Sequence, residues 1–402
     1  MSSLPDQVRR DVVVIGGCGH VGLPLALAFA DRGAQVGIYD VSESAVATVN
    51  AGRLPFAEPG ADEVLHRVLA DGRLVASADP AIVASAENVV VVIGTPVDEH
   101  LNPKQTAITK ALGGCSDHLT DGQLLVLRST VFPGVTALVE KMMAKLGRQI
   151  DVAFCPERIA EGKAMTELFE LPQIVSSRTP AGAKRASALF GRLTGKLVVM
   201  SPEEAELAKL FTNVWRYIKF ATANQLYMMA NEQGLDFDRI RRGLAEDYPR
   251  AADMPAAGFA AGPCLFKDTM QLSAVADSNF TLGHAAMFVN EGLPMFVVSR
   301  LAQEHDLSRL TVGILGAAFK GGSDDIRASL AYKLKHILAF RARQVLMTDP
   351  HVTVDPELVP LERVLAESDV LVVATPHPEY RTVSTDLPVA DVWNVLGKDL
   401  HP

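Results

Sequence analysis

One cysteine in this chain stands where a reactive thiol would stand. Gly258-Phe259-Ala260-Ala261-Gly262-Pro263-Cys264-Leu265-Phe266-Lys267-Asp268-Thr269 is a glycine-rich turn that carries Cys264 between small residues and follows it with Lys267 and Asp268. A thiol attacks carbon as its thiolate, and a neighbouring cation or a helix N-terminus favours that form. Lys267 is such a cation. A cysteine beside glycines is also a common small buried residue, so the turn takes its meaning from the rest of the chain. A second set of candidates is Lys209, Asn213 and Arg216, at i, i+4 and i+7 of a helical pattern beside apolar Leu207, Phe211, Ile218 and Leu226. On an isolated helix these would be solvated surface. Near a thiol, a lysine, an amide and an arginine on one face could stabilise a developing oxyanion and hold a water.

The elements that must position them begin at the N-terminus. Asp11-Val-Val-Val-Ile15 is a short apolar run rich in β-branched residues, the pattern of a strand buried on both faces of a parallel sheet. It leads into Gly17-Cys18-Gly19-His20-Val21-Gly22 and then an apolar helical stretch, Leu23 to Asp31. In a dinucleotide-binding turn the first glycine permits the tight turn, the second lets a pyrophosphate approach the backbone, and the third packs helix on strand. The next strand, Gln35-Val-Gly-Ile-Tyr39, ends in Asp40, where a carboxylate accepts the ribose hydroxyls and repels a 2′-phosphate. The expected cofactor is therefore NAD, held by Gly17, Gly19, His20, Val21, Gly22 and Asp40. Strands at Asn88–Ile93 and Gln123–Leu127 end in Gly94-Thr95-Pro96 and Arg128-Ser129-Thr130, which places Thr95 and Thr130 at the ligand-binding end of the sheet. A strand near Asp151–Phe154 leads into Cys155-Pro156-Glu157-Arg158-Ile159-Ala160-Glu161. Glu157 and Glu161 would share a face if this stretch were helical, either as solvated surface or as groups that orient a polar substrate or assist a water.

Ser201-Pro202-Glu203-Glu204 is a capping box with proline in the first helical position. Nothing interrupts the helical pattern until Gly234, which predicts a helix of about 32 residues, roughly 48 Å long. Such a spine suits a connection between lobes or a subunit interface. After a further helix, about Gly283 to His305, the opening theme returns: Leu310–Leu315 with Gly316-Ala317-Ala318-Phe319-Lys320, then Gln344–Thr348 ending in Asp349, then Asp369–Ala374 ending in Thr375. Ala318 and Phe319 interrupt the glycine spacing and argue against a second dinucleotide. Lys320 and Arg327 stand where phosphate charges could be met.

Composition narrows the class. The chain has 402 residues, 48% hydrophobic and 21% charged, with 38 basic against 47 acidic side chains and a formal net charge of −9. There is no basic stripe, so nucleic acid is not an expected partner. Met1–Arg10 has no apolar signal core and no run approaches the roughly 18 apolar residues of a membrane span, so the expectation is a cytoplasmic protein without membrane association. The four cysteines, Cys18, Cys115, Cys155 and Cys264, are scattered and form no Cys-x-x-Cys pair, so neither a metal site nor a disulfide framework is expected.

In this order these segments resemble the UDP-glucose/GDP-mannose dehydrogenase family, over nearly the whole chain. The carrying motifs are the glycine turn with Asp40, Cys155-Pro-Glu-Arg158, Lys209 with Asn213, Cys264 with Lys267 and Asp268, and Ala318-Phe319-Lys320 through Asp325-Ile326-Arg327-Ala328-Ser329. The resemblance implies two NAD-dependent oxidations of C6 of a nucleotide sugar, through a thiohemiacetal and a thioester on Cys264. It makes Lys209, Asn213, Asp268, Glu157, Glu161 and Thr130 the catalytic companions. Glu157, Arg158, Lys209, Asn213, Arg216, Arg250, Lys267, Phe319 and Lys320 would meet the UDP-sugar, and Thr95, Thr130 and Arg327 the cofactor. Cys155-Pro-Glu-Arg158, Arg216 and Tyr248-Pro249-Arg250 are similar to the branch that oxidises UDP-N-acetylhexosamines, UDP-N-acetyl-D-mannosamine foremost. Pro263 and Lys267 depart from that branch, Lys267 toward the UDP-glucose enzymes, so UDP-glucose and UDP-N-acetylglucosamine stay as alternatives. Family members pair through the long helix, which implies at least a homodimer.

The expected fold is α/β: two Rossmann-like doubly wound parallel-sheet lobes joined by a helical central domain with a long spine helix, divided as 1–200, 201–305 and 306–402. Two other readings compete. A two-domain hydroxyacid or hydroxyacyl dehydrogenase would share the first lobe but lack a third lobe and an essential thiol. A catalytically silent NAD or nucleotide-sugar binding protein would have a broken nucleophile or base.

Overall fold

The apolar run after Arg10 becomes β1 (Arg10–Ile15), hydrogen-bonded on both sides and buried on both faces. The computed structural model describes residues 9–95, 106–276 and 279–397; the residues before 9, and Pro96, lie outside them. The chain forms two compact units, Met1–Phe211 and Thr212–Pro402.

In the first unit, β1 is followed by α1 (Gly22–Asp31), β2 (Val36–Tyr39), α2 (Glu43–Asn50), α3 (Ala61–Ala70), β3 (Leu74–Ser77) and β4 (Ala86–Val91). Then come α4 (Thr106–Gly113), β5 (Leu124–Leu127), α5 (Val135–Lys145), β6 (Asp151–Phe154), α6 (Ala164–Glu170), β7 (Gln173–Ser177), α7 (Pro180–Phe190) and β8 (Leu197–Met200). These strands make one sheet in the order β3-β2-β1-β4-β5-β6-β7-β8, parallel except between β6 and β7. The order reverses between β1 and β4, and in such sheets that reversal opens the ligand crevice beyond the strand carboxyl ends. Apolar residues pack on both faces, among them Val12, Val14 and Ile38 on one side and Val13, Val89 and Phe154 on the other. Each such side chain contributes roughly 1.5–3 kcal/mol over an exposed one.

The spine helix α8 (Pro202–Glu232) runs 31 residues, about 46 Å at the usual rise. Its start is the expected capping box: Ser201 Oγ accepts from Glu204 N at 3.3 Å, and Glu204 Oε2 accepts from Ser201 N at 2.8 Å. Past its end, Gly234 takes the left-handed backbone, φ +70°, that lets a helix stop. The second unit continues with α9 (Phe237–Ala245), α10 (Leu265–Val275), α11 (Thr281–Glu304), β9 (Thr311–Leu315), α12 (Leu330–Ala339), β10 (Gln344–Thr348), α13 (Leu361–Glu367), β11 (Val370–Val373) and β12 (Val389–Ala390). Its sheet, β10-β9-β11-β12, is wholly parallel and repeats the arrangement of β2-β1-β4-β5. The fold is thus the expected pair of α/β lobes with helices between them in sequence. Among the described residues, no helix is long and apolar enough to cross a membrane.

Candidate active site

The glycine turn after β1 is built by close packing. Gly16 carries the left-handed backbone, φ +73°, and a Cβ there would lie 2.0 Å from Val92 O, so the tight turn falls on Gly16 rather than on Gly17. Gly17 is needed instead because a Cβ would meet the Ile38 side chain at 2.8 Å. A Cβ on Gly22 would reach Gly16 O at 2.5 Å, which is the close helix-to-strand packing the motif requires. Gly19 is exposed, and a Cβ there would find its nearest atom at 3.9 Å. α1 has no side-chain cap and no acid in its first turn, so its amide dipoles are available to an anion. Asp40 accepts from Cys18 N and from Ser42 N, one bond of 3.0 Å on each oxygen. A carboxylate offers about four acceptor positions, so Asp40 retains capacity for a ribose. This cradle fits a dinucleotide.

The strand-end loops beside it are tied together. Ser129 Oγ accepts from Ile93 N at 2.8 Å, joining the segment that carries Thr95 to the one that carries Thr130, both threonines half-buried. Arg128 is fully buried under Cys155-Pro156-Glu157, with its Nε 3.0 Å from Glu157 Oε2, its Nη1 3.0 Å from Cys155 O, and its Nη2 also on Glu157. Glu157 Oε1 accepts from Arg158 N at 2.7 Å and Ile159 N at 3.0 Å. The stretch from Cys155 to Ala160 is not helical, so Glu157 and Glu161 do not share a helix face. Glu157 turns inward and shapes the turn; removing one partner of such a buried pair typically costs about 3–5 kcal/mol. Glu161 stays partly exposed, its Oε1 3.7 Å from His20 Nδ1, and the His20 ring packs on Phe56 with centroids 4.1 Å apart. Arg158 donates to Pro172 O. Two acids that the sequence did not single out hold this region. Glu58 accepts from Gly162 N and Ala164 N at 2.9 and 2.8 Å, and Glu206 accepts from Gly134 N, Thr136 N and Thr136 Oγ at 2.7, 2.8 and 2.5 Å. Each is a cap supplied from far along the chain.

The thiol lies in the second unit. Cys264 is exposed and stands at the N-cap of α10, the positive end of that helix's dipole. The other three cysteines are buried, and burial pushes their thiols up, Cys18 and Cys155 to about 12 and Cys115 to about 11. One turn into α10, Asp268 is 0% exposed. Its Oδ2 accepts from Asn213 Nδ2 at 2.5 Å, and its Oδ1 lies 3.3 Å from Lys267 Nζ. Lys209, half-buried, precedes Asn213 by one turn of α8.

The thiol turn is braced at both ends. A Cβ on Gly258 would overlap Trp393 at 2.2 Å, and on Gly262, φ +101°, would strike Phe319 at 2.6 Å. Asn224, buried on α8, accepts from Gly258 N at 2.8 Å and donates to Gly258 O and to Asn290 Oδ1. Asn224 was legible only as an amide three helical turns beyond Asn213, hence on the same face. Phe319 thus stands against the thiol turn, and the Lys320 ammonium sits 5.6 Å from its ring. Arg327 is held by Asp325, its Nε 2.9 Å from both carboxylate oxygens. Arg216 and Arg250 are exposed, Arg250 stacked on Tyr248 at 5.2 Å.

The turn after β9 is tied to its own acid. Asp349, fully buried, accepts from Ala317 N at 2.7 Å, Ala318 N at 3.0 Å and His377 Nε2 at 2.9 Å through one oxygen, and from His351 N and Val352 N through the other. His377 Nδ1 accepts from Gly322 N at 3.1 Å, which leaves Nε2 as the donor to Asp349. Asp349 takes two of this turn's amides, where Asp40 takes one, Cys18 N, from the turn after β1, which also keeps an exposed Gly19.

The first unit's glycine cradle beside Asp40, and the second unit's exposed thiol at a helix start with an asparagine, a buried aspartate and a lysine around that helix turn, are features that fit a dinucleotide-dependent dehydrogenase. The chain matches the NAD binding domain of the UDP-glucose/GDP-mannose dehydrogenase family over residues 10–194, the central domain over 203–292 and the UDP binding domain over 313–398. It belongs to that family and is an NAD-dependent nucleotide-sugar dehydrogenase. It is 28% identical to the UDP-N-acetyl-D-mannosamine dehydrogenase of Pyrococcus horikoshii over 402 residues, covering 97% of this chain and 93% of the relative. To the enzyme of that name from Salmonella typhi it is 30% identical, covering 92% and 94%. The structure of a UDP-glucose dehydrogenase from Pyrobaculum islandicum superposes with a TM-score of 0.91 at 26% identity, covering 100% of this chain and 99% of that one.

Proposed function

We propose that this enzyme oxidises C6 of UDP-N-acetyl-D-mannosamine to the carboxylate, reducing two NAD+ per sugar. The observation that carries the reading is Cys264, the exposed thiol among four cysteines, at the start of α10 beside the Asn213–Asp268–Lys267 group. NAD+ held at Gly17–Gly22 and Asp40 would accept the hydride in each oxidation. Cys264 Sγ adds to the carbon of the C6 aldehyde to give a thiohemiacetal, whose oxidation leaves a thioester. Water then attacks the carbonyl carbon, the C–S bond breaks, and the thiol is regenerated with the free acid. Asn213 has a second amide hydrogen beyond the one given to Asp268, and with Lys209 it donates to the oxyanion. Asp268 and Lys209 balance charge as water is activated, Thr130 and Glu161 orient the reacting groups, and Glu157 holds the turn that presents Arg158. Phe319, Lys320 and Lys267 contact the nucleotide sugar, and Arg327, with Thr95 and Thr130, the cofactor.

The choice of sugar is supported by the names of the relatives and by Arg158, Arg216 and Arg250, which can donate to an acetamido carbonyl as an apolar side chain cannot. A second reading, UDP-glucose, is favoured by Lys267 and by the likeness to the Pyrobaculum enzyme. Comparing kcat/KM for UDP-N-acetyl-D-mannosamine, UDP-N-acetyl-D-glucosamine and UDP-glucose decides between them, and two NADH per sugar is expected. A preference for UDP-glucose overturns the choice of sugar. We place the enzyme in the cytoplasm as a homodimer paired through α8. Phe211 and Trp215, 52% and 59% exposed, stand with Leu226 and Met229 as an outward apolar row, a face that a partner helix would cover.

A further inference from the structure

We infer that Glu206 is a positioning residue that fixes the Thr130 loop and Lys209 to one another. Glu206 is 1% exposed and accepts three hydrogen bonds, all from the segment that follows Thr130: Gly134 N, Thr136 N and Thr136 Oγ. α5 has no cap of its own, because Gly134 at its N-terminus has φ +96° and no side chain to offer. The negative charge at that terminus, favourable to the helix dipole, comes from α8, 72 residues further along the chain. A serine or aspartate near the start of α5 would serve stability locally. What the distant carboxylate adds is a reference between two elements. Glu206, Lys209 and Asn213 fall at i, i+3 and i+7 of α8, on one face of the helix. Anchoring Glu206 therefore sets the rotation and height of Lys209 against the loop that carries Thr130, all within the first unit. The assignment of a chemical role to Lys209 and Thr130 rests on the function proposed above; the mechanical coupling does not.

The experiment uses full-length protein carrying Glu206→Gln, which keeps the shape but turns an NH2 toward a backbone N–H donor, and separately Thr136→Val, which removes only the hydroxyl. Three readouts are taken: kcat and KM for NAD and the UDP-sugar, thermal midpoint, and the rate at which an amine-reactive reagent labels Lys209 in ligand-free protein, by mass spectrometry. Positioning predicts that kcat falls about tenfold in Glu206→Gln and less in Thr136→Val, with both KM values within about twofold, as expected for a small misplacement of a reacting group. Lys209 labelling changes by at least about threefold in Glu206→Gln, and the double variant is no worse than Glu206→Gln alone. A lowered midpoint with Lys209 labelling unchanged overturns the inference, whatever the kinetics. Should the proposed sugar prove wrong, the labelling result still stands on its own. If Glu206→Gln does not fold, Thr136→Val decides by the same two measurements.

Discussion

Asn213 and Asp268 share a hydrogen bond that water does not reach, so neither can be altered without stranding the other. Asn213→Ala leaves a buried carboxylate short of one donor, for which the expected cost is about 1 to 3 kcal/mol in denaturant unfolding. Asp268→Asn keeps shape and should cost less stability, yet abolish most of the turnover if the carboxylate balances charge during hydrolysis. Rapid-quench analysis should then find sugar attached to Cys264, and a variant that turns over normally would remove Asp268 from the mechanism. Asp40 supports a separate prediction. Its carboxylate is held beside the glycine turn by Cys18 N and Ser42 N, where a 2′-phosphate would meet like charge. NAD should outperform NADP by at least about tenfold, which is about 1.4 kcal/mol, and Asp40→Ser should narrow the ratio. Equal turnover with both cofactors in the wild type would refute the role of Asp40.

At the scale of elements, what could be read from sequence was what is local. The β1 run, the glycine turn, the capping box of α8 and the thiol turn each lie within a few residues, and each formed where its pattern implied, except that the tight turn falls one residue earlier, on Gly16. Arrangements made by distant partners could not be read. Glu157 and Glu161 carry helical spacing, but a buried arginine on the neighbouring strand end drew Glu157 into an extended turn. On α8 the polar Glu206, Asn213, Asn224 and Asn231 are buried along with Leu210, Val214 and Tyr217, because these amides and acids bond to other segments of the chain. Asp349 shows the same effect in the second lobe, where the strand-end acid that echoes Asp40 serves its own turn. Burial alone would raise its carboxyl, but the bond from His377 and the amides of Ala318 and Ala317 outweigh this and hold it well below the usual carboxylate range. A depressed folded-state pKa adds stability above the ordinary range, near pH 4, that is lost as pH falls below it. Asp349→Asn should therefore be less stable than wild type at pH 7, with the gap closing below about pH 4 in pH-dependent chemical unfolding. A gap of constant size would mean that the charge is not what Asp349 contributes.

For the molecule as a whole, the outward row on α8 is the feature that a single chain leaves unsettled. Trp215→Glu places a charge in the middle of that row without touching the buried face, where Asn213 and Asn224 lie. The expected outcome is a halved mass in light scattering with secondary structure retained, and activity lost to the extent that a neighbouring subunit completes the site. An unchanged mass would show that pairing, if present, uses another surface.

The burial of Cys18, Cys115 and Cys155 gives the native enzyme a single reactive sulfur without any engineering. A disulfide reagent should titrate one thiol quickly in the folded protein and four after denaturation, with UDP-sugar slowing the fast one. A maleimide dye, a spin label or a gold surface could then be attached at one defined point, and, with Cys264 in the proposed sugar site, the rate of attachment would report how much of the enzyme has that site open.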